Sequence, residues 1–281
     1  MATSGLSRTR ALWRCVRAIG LVFRGLWTMH RHFGGATPEV RNRHIQTWSR
    51  DVLRVFGVSL GVRGMAPSSG LVVANHISWL DILVINAAQP VRFVSKSDVG
   101  RWPLLGKLVV EAGTLMIERT SRRDAMRVVH RMTDDLRLGH TVAIFPEGTT
   151  HDGSAVLPFH ANLIQAAISA PCAVTPVGLS YWPSAQAEHT GAPKSLAAAF
   201  VGDMNLVQSV WSVLRRGPVH ALVDWGEPQE AQGRDRRAWA AALEREVARL
   251  SQSQAPGRDE PMQDQHERRD AQACAPVQSR S

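Results

Sequence analysis

Short apolar segments and helix-periodic segments alternate along the chain from residue 58 onward. The short runs rich in Val, Ile and Leu predict buried strands, and the longer amphipathic stretches predict helices. The strand-like segments cover residues 58–63, 71–75, 91–95, 114–118, 141–145, 172–179, 198–202 and 219–224. The helix-like segments cover residues 77–88, 101–111, 121–138, 159–169, 204–215 and 235–250. Such alternation predicts an α/β fold with a single mostly parallel or mixed sheet flanked by helices.

Two more helices are predicted ahead of the first strand. Residues 10–33 place arginines on a stripe of roughly 100°, opposite an apolar face with aromatic side chains. This pattern is typical of a helix that lies in a membrane interface, although a helix packed on the domain with solvated arginines would also show it. The second helix begins at Pro38 and ends before Gly57.

The composition also predicts how the chain is divided. Residues 1–57 form the membrane-associating helices, residues 58–250 form one domain, and the polar residues 251–281 form a disordered tail. Three scattered cysteines make neither a disulfide framework nor a metal knuckle, which fits a reducing cytoplasmic setting.

The chain carries a formal net charge of +9. Lysine occurs only at positions 96, 107 and 194, so arginine provides most of the excess. A basic surface suits nucleic acid, an anionic membrane or a phosphorylated substrate. A bias in coding composition would produce the same excess without any functional meaning.

The stretch from Leu71 to Ile82 holds the first candidate for chemistry. His76 follows a predicted strand directly, and Asp81 lies five positions later in a new apolar segment. In α/β folds, reactive groups collect at the carboxyl ends of strands. A histidine with a carboxylate partner forms a general base with its orienting group. Taken alone, such a pair is more often a buried histidine hydrogen-bonded near the start of a helix.

Three other stretches also adjoin predicted strands. Glu118-Arg119 ends one strand, Phe145-Pro-Glu-Gly-Thr-Thr150 follows another, and Val174-Thr-Pro176 lies within a third. Loops after different strands of an α/β sheet can converge on one edge, where glycine-rich backbone and an arginine would suit an anion. Each stretch alone is more often an ordinary loop or a surface arginine.

Taken in order, these stretches resemble the four sequence blocks of the glycerolipid acyltransferase superfamily. In particular, the chain resembles bacterial 1-acyl-sn-glycerol-3-phosphate (lysophosphatidic acid) acyltransferases. The resemblance covers residues from about 55 to 250, and the combination of blocks is far more specific than the His76–Asp81 spacing. It implies a glycerol-3-phosphate acyltransferase-like fold.

The resemblance implies transfer of a fatty acyl group from acyl-ACP or acyl-CoA to the free hydroxyl of lysophosphatidic acid, which gives phosphatidic acid. His76 would be the general base, oriented by Asp81, and the acceptor hydroxyl would attack the thioester directly. Lys96 matches a basic residue that follows the first block and is a candidate donor to the oxyanion. No metal and no cofactor beyond the thioester co-substrate are implied. The expected acceptor-binding residues are Arg119, Glu147, Gly148, Thr149 and Thr150.

Two positions depart from the common family pattern. The second block usually carries an Asp-Arg pair, which is Glu118-Arg119 in this chain. The third block commonly ends in arginine, where this chain has Thr150, so one phosphate-pairing residue is missing. His151, Arg122 or Arg123 are candidates to replace it. The change makes lyso-ornithine lipid, which lacks that phosphate, the alternative acceptor.

The resemblance also sets expectations for partners and location. The expected partners are a lysolipid, a thioester of acyl carrier protein or coenzyme A, and a membrane surface, with no nucleic acid. The expected location is the cytoplasmic face of the bacterial inner membrane, as a peripheral or monotopic protein. A remote alternative is a catalytically inactive basic protein that binds membrane or nucleic acid.

Overall fold

The computed structural model describes residues 8–117, 122–190, 192–202 and 204–253. Its helices are α1 (Arg8–His32), α2 (Pro38–Phe56), α3 (Leu80–Ala88), α4 (Ser97–Gly100), α5 (Leu105–Glu111), α6 (Arg122–Arg137), α7 (Gln165–Ser169), α8 (Leu206–Arg215) and α9 (Arg236–Gln252). Its strands are β1 (Val58–Arg63), β2 (Gly70–Ala74), β3 (Arg92–Lys96), β4 (Leu115–Ile117), β5 (Thr141–Ile144), β6 (Val174–Trp182) and β7 (Val219–Trp225). Two short 3₁₀ turns span Ala187–His189 and Leu196–Ala198.

The strands form one sheet of seven in the order β1-β7-β6-β2-β5-β3-β4. The five strands from β6 to β4 run parallel, whereas β7 pairs antiparallel with β6 and parallel with β1. The carboxyl ends of β2, β3, β4, β5 and β6 therefore lie at one edge of the sheet. The predicted single mixed sheet with flanking helices and two N-terminal helices is confirmed.

Residues of β2 alternate between two buried clusters. Val72 and Ala74 pack with α2, α3 and α8 on one face, while Leu71 and Val73 pack with α6, α7 and α9 on the other. A strand buried on both faces reads as a continuous apolar run, which is why β2 was recognisable in the sequence. Burial on both faces also holds its carboxyl end in a rigid position.

Helix α9 approaches β6 closely at Gly178. A methyl group at this position would lie 2.3 Å from the backbone nitrogen of Ser251 and 2.4 Å from the carbonyl carbon of Leu250. Only glycine leaves room for the helix to pack this tightly on the sheet. The packing fixes β6, which carries one of the contacts of the candidate site.

Helix α1 packs against the domain with its small residues and presents an apolar face to solvent. Trp48 of α2 donates its indole N–H to the Leu21 carbonyl at 2.8 Å, and Gly25 lies in contact with the same indole. The opposite face exposes a set of large apolar side chains: Leu12, Trp13, Val16, Ile19, Phe23 and Trp27. Across the described ranges, no helix combines the length and the apolar character that crossing a bilayer requires.

The predicted strand at 198–202 is wrong. These residues instead form the end of a 3₁₀ turn and an extended loop. The Phe200 N–H donates to the carbonyl of Ile77, and the Phe200 carbonyl accepts from Thr150. The backbone groups of this segment are therefore satisfied by loops at the sheet edge rather than by a neighbouring strand.

Two predicted helices are shorter than expected. The helix predicted over 101–111 begins only at Leu105, after Pro103, and the short helix α4 lies before the predicted stretch. Residues 159–164 precede α7 as a loop, so only the second half of the predicted helix over 159–169 is helical. Neither difference changes the architecture of the sheet.

Candidate active site

The loop between β2 and α3 carries the first predicted motif. The Asn75 side chain donates to the Leu179 carbonyl at 3.0 Å and accepts from the Leu179 N–H at 2.7 Å. The amide therefore replaces a peptide group and extends the pairing of β2 with β6 by one residue. This contact holds the start of the loop, and with it His76, on the sheet.

Asp81 is fully buried and organises the rest of the loop. Its Oδ2 accepts from the backbone N–H groups of Ile77 at 2.7 Å and Ser78 at 2.9 Å. Because these residues turn their N–H groups toward the carboxylate, α3 begins at Leu80 instead of at the expected residue 77. Asp81 therefore lies in the first turn, where a negative charge is favoured by the helix dipole.

His76 and Asp81 are in direct contact. The Nδ1 atom of His76 lies 2.9 Å from Oδ2 of Asp81. A carboxylate at Nδ1 places the proton there and leaves Nε2 unprotonated in the neutral ring. The His76 side chain remains 20% exposed, so a substrate can reach the ring. Its imidazole stacks on Phe145, with centroids 4.0 Å apart and planes 7° from parallel, which fixes the orientation of the ring.

A further buried side chain reaches the same carboxylate. The Tyr181 hydroxyl on β6 donates to Oδ1 of Asp81 at 2.6 Å. Burial, together with the Asp81 carboxylate, raises the pKa of the Tyr181 hydroxyl well above its ordinary value. Among the described residues, Asp81 thus accepts from two backbone N–H groups, one imidazole and one phenol.

The third block begins beside His76 because β5 pairs with β2. Ile144 is opposite Val73 in this register, so the residues that follow both strands emerge next to each other. Gly148 has a φ of 73°, and its N–H donates to the Phe145 carbonyl at 3.1 Å. A side chain would be strained in this left-handed conformation, so glycine permits the tight turn.

Glu147 and His151 form a second pair immediately behind His76. The His151 N–H donates to the His76 carbonyl at 3.0 Å, and its Nδ1 accepts from the Gly153 N–H at 2.9 Å. The neutral ring therefore carries its proton on Nε2, which lies 2.9 Å from Oε2 of Glu147. Burial raises the pKa of Glu147, and the neighbouring His151 and the backbone of His76 oppose that shift.

The contact between Glu147 and His151 is close, but it lacks good hydrogen-bond geometry. Both carboxylate oxygens of Glu147 are buried and lack a well-formed hydrogen bond among the described residues. A buried carboxylate in this condition retains acceptor capacity. The side chain is closed off from solvent in this structure, so this acceptor capacity faces the protein interior beside His76 and His151.

The two threonines of the third block differ in their surroundings. Thr149 is exposed, whereas Thr150 is half-buried and donates its hydroxyl to the Phe200 carbonyl at 2.5 Å. This bond ties the third block to the loop that also contacts Ile77. The Thr150 side chain thus serves a loop contact in this structure, and a threonine carries no charge for a phosphate.

Two expected site residues fall outside what the structure describes. Arg119 follows β4 by two residues and lies in the gap between residues 117 and 122. Lys96 is the last residue of β3, but its side chain is not described, and the same holds for the side chain of Arg122. Arg123 is exposed on α6.

The structure adds contacts that the sequence analysis missed. Tyr181 lies outside the sequence motifs, although it is the single tyrosine of the chain and belongs to the strand of the fourth block. The sequence makes His151 a candidate phosphate ligand, whereas its ring faces Glu147 in the structure. The spacing of four residues between Glu147 and His151 is the one feature of the sequence that hints at their contact, and this spacing is too common to be informative by itself.

A large apolar cavity lies beside α3. Its volume is about 480 Å³, and it is lined by residues of α1, α2, α3, α4, α5 and α8. Its wall on this side is formed by Trp79, which precedes α3, and by Ile82 and Leu83 of α3, the helix whose first turn carries Asp81. Cavities of this size and lining accept apolar ligands. Among the described residues, no group of His, Cys, Asp and Glu side chains is arranged to hold a metal ion.

Comparison with known proteins gives a consistent result. The family model described as acyltransferase matches residues 61–180. A lyso-ornithine lipid O-acyltransferase from Pseudomonas aeruginosa is 36% identical over 251 residues, covering 86% of this chain and 93% of that protein. A 1-acyl-sn-glycerol-3-phosphate acyltransferase from Neisseria meningitidis is 35% identical over 221 residues, covering 77% and 84%.

A solved structure shares the fold. The 1-acyl-sn-glycerophosphate acyltransferase PlsC from Thermotoga maritima superposes with a TM-score of 0.58 at 18% identity, covering 85% of this chain and 98% of that one. The similarity to both curated relatives extends over most of their length. The chain therefore belongs to the glycerolipid acyltransferase superfamily and is an acyltransferase of lipid metabolism.

Proposed function

We propose that this acyltransferase moves a fatty acyl group from a thioester carrier to the free hydroxyl of a lysolipid, with His76 as general base. The observation that carries the proposal is the His76–Asp81 contact at 2.9 Å, which leaves Nε2 as the proton acceptor of a partly exposed ring. Among the described residues, Nε2 has no hydrogen-bond partner. It is therefore free to receive a hydroxyl proton.

In the proposed reaction the lysolipid oxygen attacks the thioester carbonyl while His76 Nε2 takes the hydroxyl proton. Asp81 holds the Nδ1 proton and stabilises the imidazolium that forms. Collapse of the tetrahedral intermediate breaks the carbon–sulfur bond, and the imidazolium returns the proton to the thiolate. The products are the acylated lipid and the free thiol of ACP or coenzyme A. Lys96 remains the proposed side-chain donor to the oxyanion.

The apolar cavity supports an assignment for the acyl chain. It lies against the α3 residues that follow His76, and its lining is almost entirely apolar. A fatty acyl chain placed there would leave its thioester near the β2–α3 loop. The charge of +9 suits acidic ACP, the phosphates of coenzyme A and an anionic membrane alike.

For the acceptor, we propose lyso-ornithine lipid as the preferred lysolipid. Thr150 replaces the arginine of the common third block, and its hydroxyl is bonded to Phe200. The carboxylate of Glu147 places a negative charge in the third block, which disfavours a phosphate close to it. The similarity to the Pseudomonas aeruginosa lyso-ornithine lipid O-acyltransferase supports the same choice. This reverses the order in which the sequence alone ranked the two acceptors.

Lysophosphatidic acid is the second candidate acceptor. The identity of 35% with the Neisseria meningitidis enzyme supports it almost equally. Arg119 is proposed as the phosphate ligand in that case, with phosphatidic acid as the product.

We further propose that α1 docks the enzyme on a membrane surface, at the cytoplasmic face in a bacterial cell. Its exposed apolar face lies opposite the side that packs on α2, and exposed arginines such as Arg17 and Arg24 flank it. Aromatic side chains such as Trp13 and Trp27 favour the headgroup boundary, and arginines favour anionic lipids.

The decisive experiment is turnover of a labelled acyl donor by the purified protein and by its His76→Ala variant. Loss of a general base is expected to lower kcat about 10²–10⁴-fold. Near-wild-type turnover of a folded variant would reject the mechanism. Binding of nucleic acid with a steep salt dependence, in the absence of any acyl transfer, would instead favour the catalytically inactive alternative.

The acceptor is tested by offering both lysolipids to one preparation at equal concentration in the same detergent. We expect a higher kcat/KM for lyso-ornithine lipid. A clear preference for lysophosphatidic acid would restore it as the first choice. Introducing a positive charge at the third block gives a matched test, since Thr150→Arg should shift the preference toward the phosphate-bearing acceptor.

Membrane docking is tested by flotation with vesicles that contain an anionic lipid. Replacing Trp13, Phe23 and Trp27 together with serine should reduce vesicle binding by more than tenfold and leave turnover of detergent-dispersed substrate within about threefold. A matched triple serine variant at exposed Val40, Met126 and Leu138, which lie outside α1, controls for general loss of apolar surface. Equal flotation of the α1 variant and the wild type would place the membrane contact elsewhere.

A further inference from the structure

The chain contains a single tyrosine, and its hydroxyl is bonded to the carboxylate beside His76. Tyr181 is 2% exposed and belongs to β6, the strand that also receives the Asn75 side chain. Its neighbours Ser180 and Trp182 point to the opposite face of the sheet and bond to each other. Of these three neighbouring side chains, only that of Tyr181 is hydrogen-bonded to Asp81.

The two oxygens of Asp81 have different partners. Oδ2 accepts from His76 Nδ1, from Ile77 and from Ser78, whereas Oδ1 accepts from the Tyr181 hydroxyl. A strong donor on Oδ1 draws charge away from the oxygen that faces the imidazole, and it prevents rotation of the carboxylate. Phenylalanine at this position would leave the strand and the packing intact but would leave Oδ1 without that donor.

We propose that Tyr181 is a positioning residue of the acyl-transfer site, which sets the proton affinity of the His76–Asp81 pair through its hydrogen bond to Oδ1. The inference rests on the proposed function of His76 as general base. The phenol donates to the ionised carboxylate, so it shares the charge that would otherwise face the imidazole, and it holds the carboxylate in one orientation. Its loss should strengthen the attraction between Asp81 and the Nδ1 proton of His76, which is the change that the pH dependence of turnover would report.

The other titratable groups near the pair come from the loop after β5. Glu147 and His151 lie behind His76, and His151 is bonded to the His76 backbone rather than to Asp81. Phe145 covers one face of the imidazole and does not titrate. Removal of the Tyr181 hydroxyl therefore changes Asp81 directly and leaves the Glu147–His151 pair in place.

The test is the pH dependence of kcat/KM for wild type, Tyr181→Phe and Ser180→Ala. In the phenylalanine variant we expect the acid limb to move to higher pH by roughly half to one unit. At neutral pH we expect kcat to fall about 3–30-fold, with KM for either substrate nearly unchanged. Ser180→Ala removes a buried hydroxyl from the adjacent residue on the opposite face, so it should reproduce a modest loss of stability without moving the limb.

A folded Tyr181→Phe variant with the acid limb of the wild type would overturn the inference. That result is distinct from failure of the proposed function, which would appear as continued turnover by His76→Ala. If His76→Ala is inactive and the limb of Tyr181→Phe is unmoved, His76 keeps its role and Tyr181 is merely a packing residue.

A second measurement does not depend on the folding of the phenylalanine variant. Wild type labelled with [13Cζ]tyrosine gives one tyrosine resonance, since the chain has one tyrosine. We expect this resonance to move with pH at the midpoint of the acid limb of kcat/KM. We also expect that movement to disappear in Asp81→Asn. A resonance that does not move with pH in the wild type, and that is the same in Asp81→Asn, would contradict coupling between Tyr181 and the His76–Asp81 pair.

Discussion

Two of the three histidine–carboxylate pairs among the described residues, His76–Asp81 and His220–Glu188, have different properties. His76 Nδ1 is 2.9 Å from Asp81, and His220 Nε2 is 3.0 Å from Glu188. The second ring nitrogen of His220 is also engaged, because Nδ1 lies 2.9 Å from the Ser59 hydroxyl. Glu188 additionally pairs with Arg63, whereas no arginine or lysine among the described side chains pairs with Asp81.

The comparison shows what separates a proposed base from a structural histidine. His220 is buried with both nitrogens occupied, so it has no atom to offer to a substrate. Its carboxylate partner is neutralised by Arg63. His76 keeps one nitrogen free on a partly exposed ring, and no described arginine or lysine neutralises the carboxylate that would stabilise its imidazolium. Both pairs bring a histidine close to a carboxylate. They differ in whether a ring nitrogen is accessible to a substrate and in whether an arginine neutralises the carboxylate.

The largest expected effect on kcat comes from removing the charge of Asp81, and the same change at Glu188 is its control. Asp81→Asn should lower kcat about 10²–10⁴-fold, because the amide favours the wrong tautomer of His76 and does not stabilise the imidazolium. Glu188→Gln, the matched change at the other pair, should leave kcat within about threefold while it lowers the melting temperature. Both are measured with the same purified-protein assay. Comparable loss of kcat in the two variants would erase the distinction drawn between the pairs.

An intermediate effect is expected at Glu147, which belongs to the third histidine–carboxylate pair. Glu147→Gln should lower kcat/KM about tenfold, because the carboxylate that we propose as part of the acceptor site loses its charge. The protonation of Glu147 can be followed through the free energy of unfolding as a function of pH. Burial raises the pKa of Glu147 above its ordinary value, so the folded protein holds that proton more tightly than the unfolded chain. The associated stability is present at low pH and is lost as pH rises through the raised pKa.

The glutamine variant is neutral throughout, so it should not show that loss. Urea unfolding at pH 4 and pH 8 should give the variant a relative gain at pH 8, on the order of 1 kcal/mol. Reduced activity together with increased stability would mark Glu147 as a residue retained for function. A variant that is less stable at pH 8 than at pH 4, relative to wild type, would contradict the assigned cost of burying the charge.

The smallest expected effect concerns His220. Burial lowers the pKa of His220 below its ordinary value, although Glu188 opposes the shift. A lowered pKa means that the folded protein binds this proton less tightly than the unfolded chain. Its stability contribution is therefore present above the ordinary value near 6.5 and is lost as pH falls through the lowered pKa.

His220→Asn should remove this pH-dependent component, which is on the order of 1 kcal/mol or less. The measurement is the free energy of unfolding between pH 5 and pH 7.5 for both proteins. Turnover at neutral pH should stay within about threefold of wild type if His220 is structural. An unchanged slope of stability with pH would show that His220 is not the group that titrates.

Much of the architecture was predictable because strands buried on both faces leave strong local signals. β2 and β5 are continuous apolar runs, and each ends in a polar motif. The segment 198–202 misled the prediction because Ala-Ala-Phe is apolar without alternation and is short enough for either a strand or a loop. Its true conformation depends on Ile77 and Thr150, which are far away in sequence.

The candidate site was predictable where the relation between residues is local or belongs to a known pattern. The spacing from His76 to Asp81 brings the two side chains together within one loop, as observed. The contact of Tyr181 with Asp81 spans 100 residues and was not predictable, since it requires the register of β6 beside β2. The stacking of Phe145 on His76 likewise follows from the pairing of β5 with β2.

By itself, the sequence determined the α/β class, the two N-terminal helices, the membership in an acyltransferase superfamily and the identity of the candidate base with its acid. These properties follow from hydrophobic periodicity and from short motifs in a fixed order, both of which can be read from neighbouring residues in the sequence. The tertiary structure alone decided which nitrogen of His76 is free, which donors reach Asp81 and which carbonyl accepts the hydrogen bond of the Thr150 hydroxyl. These are properties of strand register and burial, because a side chain acquires its proton affinity and its access to substrate only from the neighbours that the fold brings to it.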